Sequence, residues 1–291
     1  MQFRNKQIDI LNDTLHICGD GYYLRGDVRV QLKLNPAEMK NAIVFLPDQI
    51  DSIINETSFS ALQTEPECVI TCENIDSFSM AHKRICLSQN SSNQEPKKIL
   101  VLNFANPINP GGGVRRGARA QEEDLCRKST LLLSLESDVA KEYYLYNRDM
   151  PVDTASDAII LSPTVEVFRG DKAELINDSF VVSVMTCAAP RKMDWVEELP
   201  EQEYAALFYN RIVHMLKCAA CWGYKSLVLG AFGCGAFNND AAMVSDLFHK
   251  AFHDLGLYAK TQNKLFHSID FAVLDQSYDQ YNFKQFCRNF S

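Results

Sequence analysis

The sequence predicts an α/β fold in three layers, helix, sheet and helix, and three observations support this prediction. Strand-like and helix-like segments alternate from Cys68 onwards. Most of the strand-like segments are continuously apolar, as in a sheet that is covered on both faces. No repeat, long linker or low-complexity segment divides this region. We therefore expect one domain, residues 66–291, with residues 1–65 as an N-terminal extension packed on the core.

The predicted strands are short runs of aliphatic and β-branched residues. The first, residues 28–33, alternates apolar with polar side chains and is expected to be half-buried. Pro163 is expected to end the fourth strand, because proline cannot donate to a strand ladder. In order, the strands are residues 28–33, 68–72, 99–104, 158–162, 180–185, 226–229 and 269–273.

The predicted helices rest on apolar residues at helical spacing. The strongest is residues 208–222, whose apolar positions follow a 4-3-4-3 spacing and which Gly223 is placed to end. In order, the helices are residues 8–18, 74–87, 119–135, 208–222, 241–255 and 278–288. Residues 36–65 are predicted as loop and short helix, and residues 89–98 as a loop.

The net charge of -8 excludes a global basic field that would recruit nucleic acid or an acidic membrane. A polyanionic substrate would have to be held locally, by backbone N–H groups, helix N-termini and a few arginines. Residues 1–10 do not resemble a signal peptide, and no apolar run approaches the ~20 residues needed to cross a bilayer. Several of the ten cysteines lie in apolar runs, which indicates buried thiols in a reducing compartment. We expect a cytoplasmic protein with no membrane partner.

Two glycine-rich loops, residues 110–117 and 230–239, each follow a predicted strand. Ligands of open α/β sheets lie beyond the carboxyl ends of the strands, and glycine exposes backbone N–H groups there. Two such loops could hold a diphosphate, although glycines also serve simply as turn residues. Neither loop has the Lys-Ser/Thr pair of a nucleotide phosphate loop or the glycine spacing of a dinucleotide fingerprint.

The pair Glu122 and Glu123 stands at a predicted helix start and has two interpretations. Acidic residues in a first helical turn complement the helix dipole and need no further role. Alternatively, one carboxylate meets a leaving group while its neighbour orients the substrate. A carboxyl in a partly desolvated cleft can have a raised pKa and serve as a general acid.

Other reactive side chains are interpreted as structural. Cys218 and Cys221 form a C-x-x-C with His214 one turn earlier, but no second ligand pair accompanies them. We interpret these cysteines as core residues and Cys234 as part of a loop wall. No metal site is predicted, because the histidines form no cluster with metal-ligand spacing.

The spaced motifs resemble those of the microbial-type poly(ADP-ribose) glycohydrolases, whose catalytic domain is a macrodomain. The family's GGG and QEE motifs correspond to Gly111-Gly112-Gly113 and Gln121-Glu122-Glu123, with seven residues between them. The similarity covers about residues 66–275, and GDGYYL near Gly21 is similar to the family's N-terminal region. Further matching segments are residues 103–106, 124–129, 162–169, 186–190 and 229–240.

The resemblance implies a three-layer macrodomain with a central mixed sheet, and it implies roles for individual residues. Glu123 would be the catalytic acid/base, while Glu122 and Gln121 would hold the distal ribose. Asn106 would contact the same ribose, and Phe237 would pack against it. The residues expected to wrap the diphosphate are Gly111, Gly112, Gly113 and Val114 in the first loop and Gly233, Cys234, Gly235 and Ala236 in the second.

Two residues of the second loop depart from the family pattern. Phe232 stands where a tryptophan is common, and Asn238 stands where a glycine is common. Asparagine tolerates left-handed backbone better than most residues. Both departures lie in the loop, so they bear on the range of substrates more than on the acid pair.

The function implied by the resemblance is hydrolysis of the ribosyl glycosidic bond, with release of ADP-ribose by acid/base catalysis and without metal or cofactor. The expected partner is ADP-ribose or poly(ADP-ribose) on modified proteins, or modified nucleic acid, and we expect a monomer. Two alternatives remain open: a mono-ADP-ribosyl hydrolase, and a macrodomain that binds ADP-ribose without hydrolysing it. The intact QEE favours an enzyme over a binding module.

Overall fold

The computed structural model describes residues 2–89, 98–151, 153–192 and 199–291. Most of the loop predicted at residues 89–98 lies outside these ranges. The helices are α1 (Gln2–Asp20), α2 (Pro36–Met39), α3 (Pro47–Glu56), α4 (Phe59–Leu62), α5 (Ser77–Gln89), α6 (Gln121–Lys128), α7 (Leu131–Leu135), α8 (Lys141–Arg148), α9 (Glu201–Cys221), α10 (Ala241–Asp254) and α11 (Tyr281–Phe290). The strands are β1 (Tyr22–Arg25), β2 (Val28–Gln31), β3 (Ile43–Phe45), β4 (Val69–Glu73), β5 (Ile99–Phe104), β6 (Ile159–Arg169), β7 (Leu175–Cys187), β8 (Ser226–Leu229) and β9 (Ser268–Ala272).

The chain folds into two compact units, each assembled from separate stretches of sequence. The first unit comprises Met1–Phe45, Asn103–Met150 and Ala158–Cys187. The second unit comprises Leu46–Leu102, Pro151–Asp157 and Ala188–Ser291. The N-terminal extension and the core domain that we expect from the sequence stay predictions.

The described strands include a mixed sheet of seven in the order β3-β6-β7-β5-β8-β9-β4. In the first unit, β6 pairs antiparallel with both β3 and β7. In the second unit, β8 pairs parallel with β5 and β9, and β9 pairs parallel with β4. Strands β8 and β9 are buried at every residue, as in a sheet that helices cover on both faces. The predicted α/β class with a mixed sheet is confirmed.

The helix predicted over residues 119–135 is interrupted, and the prediction of one continuous helix was wrong. Ser129 is fully extended and forms an isolated antiparallel bridge with Val167. Beside it, Thr130 donates its N–H to the Glu166 carbonyl and accepts the Glu166 N–H on its hydroxyl, both at 3.0 Å. Pairing with β6 therefore replaces helical bonds between α6 and α7, and apolar spacing alone did not indicate this.

Strand β6 continues through Pro163, which we expected to end it. The register between β6 and β7 shifts between Ser162 and Val165, so the proline lies at an irregularity where no ladder N–H is required. The Pro163 carbonyl accepts a hydrogen bond of 2.8 Å from the Ser183 hydroxyl on β7. A bulge thus accommodates the proline and extends the strand to Arg169.

The N-terminal part of the chain contains elements that its weak pattern did not reveal. The segment predicted as a half-buried strand forms β2, which pairs only with β1 and is largely exposed. Strand β3 is only three residues long, too short for a periodic signal. Between β2 and α2, Lys33 and Leu34 donate their N–H groups to the fully buried Glu166 carboxylate at 2.8 to 3.0 Å. These bonds satisfy a buried charge and fix this segment on β6.

The second unit confirms the helices and strands predicted for residues 208–222, 226–229 and 241–255, with longer or slightly shifted bounds. Its interior contains aromatic rings from α10, β9 and α11, with the Phe271 and Phe290 rings stacked at 4.2 Å. Asp270 on β9 is fully buried and is paired with Arg84 and bonded to the Thr71 hydroxyl at 2.7 Å. The buried charge is therefore both paired and hydrogen-bonded.

The C-x-x-C segment lies on α9, and Cys218 is fully buried. His214 contacts Asp157 at 2.8 Å instead of a cysteine. Burial opposes ionisation of Asp157, but its bonds to His214 and Arg211 hold its pKa at about 2. Among the described residues, no three His, Cys, Asp or Glu side chains are grouped so that they could hold a metal ion, and no helix is long and apolar enough to span a membrane.

Gly223 allows a test of the predicted helix stop after α9. It has φ of +79°, and no atom lies within 4 Å of the position that a Cβ would take. A methyl group there would therefore meet no neighbour and would destabilise the fold only through backbone strain. We expect Gly223→Ala to lower the free energy of unfolding by about 1 kcal/mol. Gly19 in α1 is equally uncrowded and has no positive φ, so Gly19→Ala should raise stability by roughly 0.5 kcal/mol. Urea unfolding of both variants measures the two signs, and equal effects would contradict the strain argument.

Candidate active site

Two carboxylates are buried at the start of α6. The helix begins at Gln121 after an extended Ala120 that provides no side-chain cap, and Glu122 and Glu123 occupy its first turn. Their side chains are only 3% and 7% exposed, which is far lower than expected for acidic residues that merely complement a helix dipole at the surface. The structure therefore favours a functional interpretation of the pair.

Glu122 is held by the segment that follows β5. Its Oε2 accepts the Asn106 N–H at 2.7 Å, and its Oε1 faces the Asn103 amide nitrogen at 3.4 Å. Burial raises the pKa of Glu122 to about 8, and the nearby charge of Glu123 adds to the rise, while the bond from Asn106 opposes it. Glu122 is therefore mostly protonated at neutral pH.

Glu123 has one bonded and one unbonded oxygen. Its Oε1 accepts the Gly113 N–H at 2.7 Å. Its Oε2 is buried and has no hydrogen-bond partner anywhere in the part of the chain that the structure describes. A buried acceptor without a partner is costly, so this oxygen is directed at a group that the folded chain does not itself supply.

The other two polar residues predicted near the ribose also bond to the backbone. The Gln121 side-chain oxygen accepts the Phe104 N–H at 2.9 Å. The Asn106 side-chain oxygen accepts the N–H groups of Ile108 and Asn109, each at 2.9 Å. Both side chains therefore shape the turn between β5 and the first glycine loop.

The first glycine loop closes around the acid pair. Gly111 and Gly112 have φ of +65° and +59°. A Cβ on Gly112 would lie 2.5 Å from Oε1 of Glu123 and 3.0 Å from Oε2 of Glu122. Both carboxylates therefore face the space beside Gly112, which only glycine leaves open. Val114 begins a short 3₁₀ helix; its side chain is fully buried, and its N–H donates to the Gly111 carbonyl at 3.1 Å.

The N-terminal helix supports this loop and the acid-bearing helix. The Arg4 Nε donates to the Arg116 carbonyl at 2.6 Å, and a Cβ on Gly117 would collide with the Arg4 backbone at 2.7 Å. The buried Thr14 hydroxyl donates to the Arg127 carbonyl at the end of α6, also at 2.6 Å. The sequence pattern of α1 gave no indication of this role.

Asn103 is a residue of the site that sequence reasoning did not single out. It is fully buried on β5, and its amide nitrogen contacts Glu122 and the Thr186 hydroxyl. Its side-chain oxygen has no partner among the described residues. The available signal was a polar residue within the otherwise apolar strand ILVLNF, since such a residue must find a polar partner.

The second glycine loop is closely packed at Gly233 and exposed further along the chain. Gly233 has φ of +75°, and a Cβ there would lie 2.7 Å from both the Ala189 Cβ and the Asn239 amide nitrogen. Gly235 and Ala236 are exposed, and Phe237 is half-buried. Burial raises the pKa of the Cys234 thiol, and Asp240 adds to the rise, which favours the predicted loop-wall role over a nucleophile.

The two departures from the resemblance have clear structural settings. Phe232 is fully buried, and its ring meets Phe208 on α9 edge to face at 5.7 Å. It therefore belongs to the core of the second unit. Asn238 has φ of +58°, which is the left-handed conformation that a glycine would adopt without strain.

Known proteins that are similar to this chain belong to the family that the motifs resemble. The family described as microbial-type PARG, catalytic domain, matches residues 12–170. The poly(ADP-ribose) glycohydrolase of Thermomonospora curvata, solved with the inhibitor ADP-HPD, is 27% identical with a TM-score of 0.84, over 99% of this chain and 100% of that chain. That of Deinococcus radiodurans, solved with ADP-ribose, is 32% identical with a TM-score of 0.73, over 89% and 98%. A search of curated proteins gave no match.

The raised pKa of Glu122 predicts a pH dependence of stability. Between about pH 4.5 and pH 8 the carboxyl is ionised in the unfolded chain but keeps its proton in the folded chain. In this range the unfolded state therefore binds fewer protons than the folded state. The contribution of the Glu122 carboxyl to the free energy of unfolding falls as pH rises. We expect the stability of the wild type relative to Glu122→Gln to fall by a few kcal/mol from pH 5 to pH 8.5. Urea unfolding of both proteins at the two pH values measures this, and a difference that is constant or grows would contradict it.

The collision at Gly112 can be separated from backbone strain. Gly26 has the same φ of +59° but no atom within 4 Å of its Cβ position, so it is a matched control. Gly26→Ala should cost about 1 kcal/mol through strain alone. Gly112→Ala should cost at least about 1 kcal/mol more, because the methyl group must displace a buried carboxylate. Chemical denaturation compares the two, and equal losses would show that the carboxylates do not occupy the space beside Gly112.

Proposed function

The chain belongs to the microbial-type poly(ADP-ribose) glycohydrolase family, and from this premise we propose how it acts as a glycosidase on poly(ADP-ribose). The bond broken is the glycosidic bond of a ribose, and the product is ADP-ribose. The observation that carries the residue assignment is the buried, unbonded Oε2 of Glu123, beside a second carboxyl in the same helical turn.

We assign the role of general acid and base to Glu123. The one proton that the acid pair holds would pass from Glu123 to the leaving oxygen while positive charge develops on the ribosyl centre. Glu123 would then take a proton from the attacking water, which restores the proton of the pair. The bond from the Gly113 N–H to Oε1 fixes the carboxyl and leaves Oε2 for these transfers. Burial of the side chain supports the assignment, because proton transfer is more effective where bulk water is excluded.

Glu122 is proposed to hold the distal ribose. Its raised pKa leaves a proton on its carboxyl at neutral pH, so the group can donate to a ribose hydroxyl as well as accept from one. A protonated neighbour also lowers the negative charge beside Glu123, which makes the close approach of a diphosphate less costly. Gln121 and Asn106 contribute by fixing the turn that carries the Glu122 bonds.

The two glycine loops are proposed to bind the diphosphate through the backbone. Residues 111–114 and residues 233–236 would line the diphosphate, in keeping with a net charge of -8 that provides no general attraction for a polyanion. The N–H groups of Gly112, Gly113 and Val114 are bonded within the chain, so the N–H donors would come from the second loop. Phe237 would pack against the ribose. The steps assigned here use carboxyl groups and water, and we expect no metal or cofactor to take part.

The wider setting is also proposed. The substrates would be polymer chains on modified proteins, with conjugates of nucleic acid as a further class. A cytoplasmic location is supported by the cysteines, which are all free thiols in the structure. We propose a monomer, because the residues assigned to the reaction are all supplied by one chain.

The central test is Glu123→Gln. The amide keeps the shape of the side chain but cannot donate as an acid, so we expect release of ADP-ribose from polymer to fall at least about 100-fold. Affinity for ADP-ribose, measured by calorimetry, should change little. Asp138→Asn is the control, since it neutralises an exposed carboxylate that is bonded to Lys141 outside both loops; it should keep wild-type turnover.

Near wild-type turnover by Glu123→Gln would refute the assignment. If the wild type binds ADP-ribose but cleaves neither polymer nor mono-ADP-ribosyl conjugates, the chain is a binding module. If it cleaves only seryl, arginyl, aspartyl or nucleic-acid conjugates carrying one ADP-ribose, the mono-ADP-ribosyl alternative replaces the polymer.

A further inference from the structure

We infer that Tyr204 on α9 is a positioning residue for the reaction, acting through Asn239 on the second glycine loop. The inference rests on the proposed function, because that function places the loop against the substrate. Tyr204 lies in the first turn of α9, far along the sequence from the loop. Neither the motifs nor the resemblance assigned it a role.

Asn239 connects three segments of the second unit. Its side-chain oxygen accepts the Tyr204 hydroxyl at 2.6 Å. Its amide nitrogen donates to the Pro190 carbonyl at 2.8 Å and to the Gly233 carbonyl at 2.9 Å. Its own N–H donates to Gly233 as well, at 3.1 Å. One buried side chain thus joins α9, the segment after β7 and the second loop.

These bonds determine where Phe237 lies. The Phe237 carbonyl accepts the Lys192 N–H at 3.0 Å, and the Asn239 amide nitrogen approaches the same carbonyl at 3.5 Å. The Arg191 guanidinium lies 5.8 Å from the centre of the Phe237 ring. The residue proposed to align the ribose is therefore fixed from its backbone and beside its ring by segments that Asn239 connects.

The arrangement has little freedom to adjust. Asn239 is 5% exposed, and its side-chain oxygen accepts the Tyr204 hydroxyl. Removal of this hydroxyl takes a donor away from a buried acceptor, which is costly. The amide nitrogen lies 2.7 Å from the Cβ position of Gly233, so only a glycine permits this approach. A shift of Asn239 is therefore transmitted to the loop backbone instead of being absorbed by a neighbouring side chain.

The tyrosine ring itself packs within the second unit, next to Phe208 and Lys192. Tyr204→Phe keeps this ring and removes only the hydroxyl. Tyr209→Phe is a matched control on the same helix, because its hydroxyl also donates at 2.6 Å, to the Asp254 carboxylate, and it has no bond to the loop. Both variants lose a hydroxyl that donates over 2.6 Å, the Tyr204 bond being buried and the Tyr209 bond exposed, and only the Tyr204 bond holds the loop.

For Tyr204→Phe we expect kcat on poly(ADP-ribose) to fall about tenfold, because reaction depends on alignment of the ribose. KM should change less than about threefold, since the first loop and the acid pair are untouched. The pH profile should keep its shape. Tyr209→Phe should keep wild-type kcat, even if its thermal unfolding midpoint falls as far as that of Tyr204→Phe.

A second variant acts from the loop side. Asn239→Ala removes the Tyr204 acceptor and both amide donations, so its kcat should fall further than that of Tyr204→Phe, with circular dichroism used to check folding. Wild-type kcat in Tyr204→Phe, with or without a lower unfolding midpoint, would overturn the inference, as would equal losses in both tyrosine variants. An inactive wild type would refute the proposed function instead, which distinguishes the two failures.

Discussion

Burial of two carboxyl groups in one helical turn is the constraint on which the first unit depends. Each group needs hydrogen-bond donors once it is removed from water. The donors come from backbone N–H groups, of Asn106 for Glu122 and of Gly113 for Glu123. The chain can bring these groups close only because the loop adopts left-handed backbone at two glycines. Support by α1 then follows, since Arg4 bonds the carbonyl of Arg116 at the far end of this loop.

The second unit uses a different means to hold its loop. In the first unit backbone N–H groups satisfy buried charges. In the second unit the neutral Asn239 side chain donates to backbone carbonyl groups of Pro190 and Gly233. Arg211 on α9 adds a buried cation that is bonded to the carbonyls of Thr154 and Ala188. Both loops are therefore anchored by hydrogen bonds within the chain itself. Such preorganisation reduces the ordering cost of binding and favours stabilisation of charge that develops during reaction.

The sequence predicted the elements with strong local signals and missed those determined by tertiary pairing. Strands 99–104 and 226–229 were confirmed to the residue, because each is a largely apolar run that begins after a lysine, and the second ends before Gly230. The break at Ser129 and the continuation through Pro163 depend on bonds to β6 and β7, which no local pattern contains. The spaced glycines and acids indicated the site. Asn103 lies in a matching segment, but its role was not assigned, since its Thr186 partner lies 83 residues away. Tyr204 was not indicated, since its Asn239 partner lies 35 residues away.

The space beside Gly112 has a consequence for how such a fold can diverge. Both carboxylates lie within 3.0 Å of the position where any other residue would put its first side-chain carbon. A relative that acquired a side chain there would have to move an acid while its QEE remained unchanged in sequence. Such a relative could lose hydrolysis without any substitution of the acids. It could then bind the same nucleotide without cleaving it. In an alignment, the middle glycine is therefore as informative about lost activity as the glutamates are.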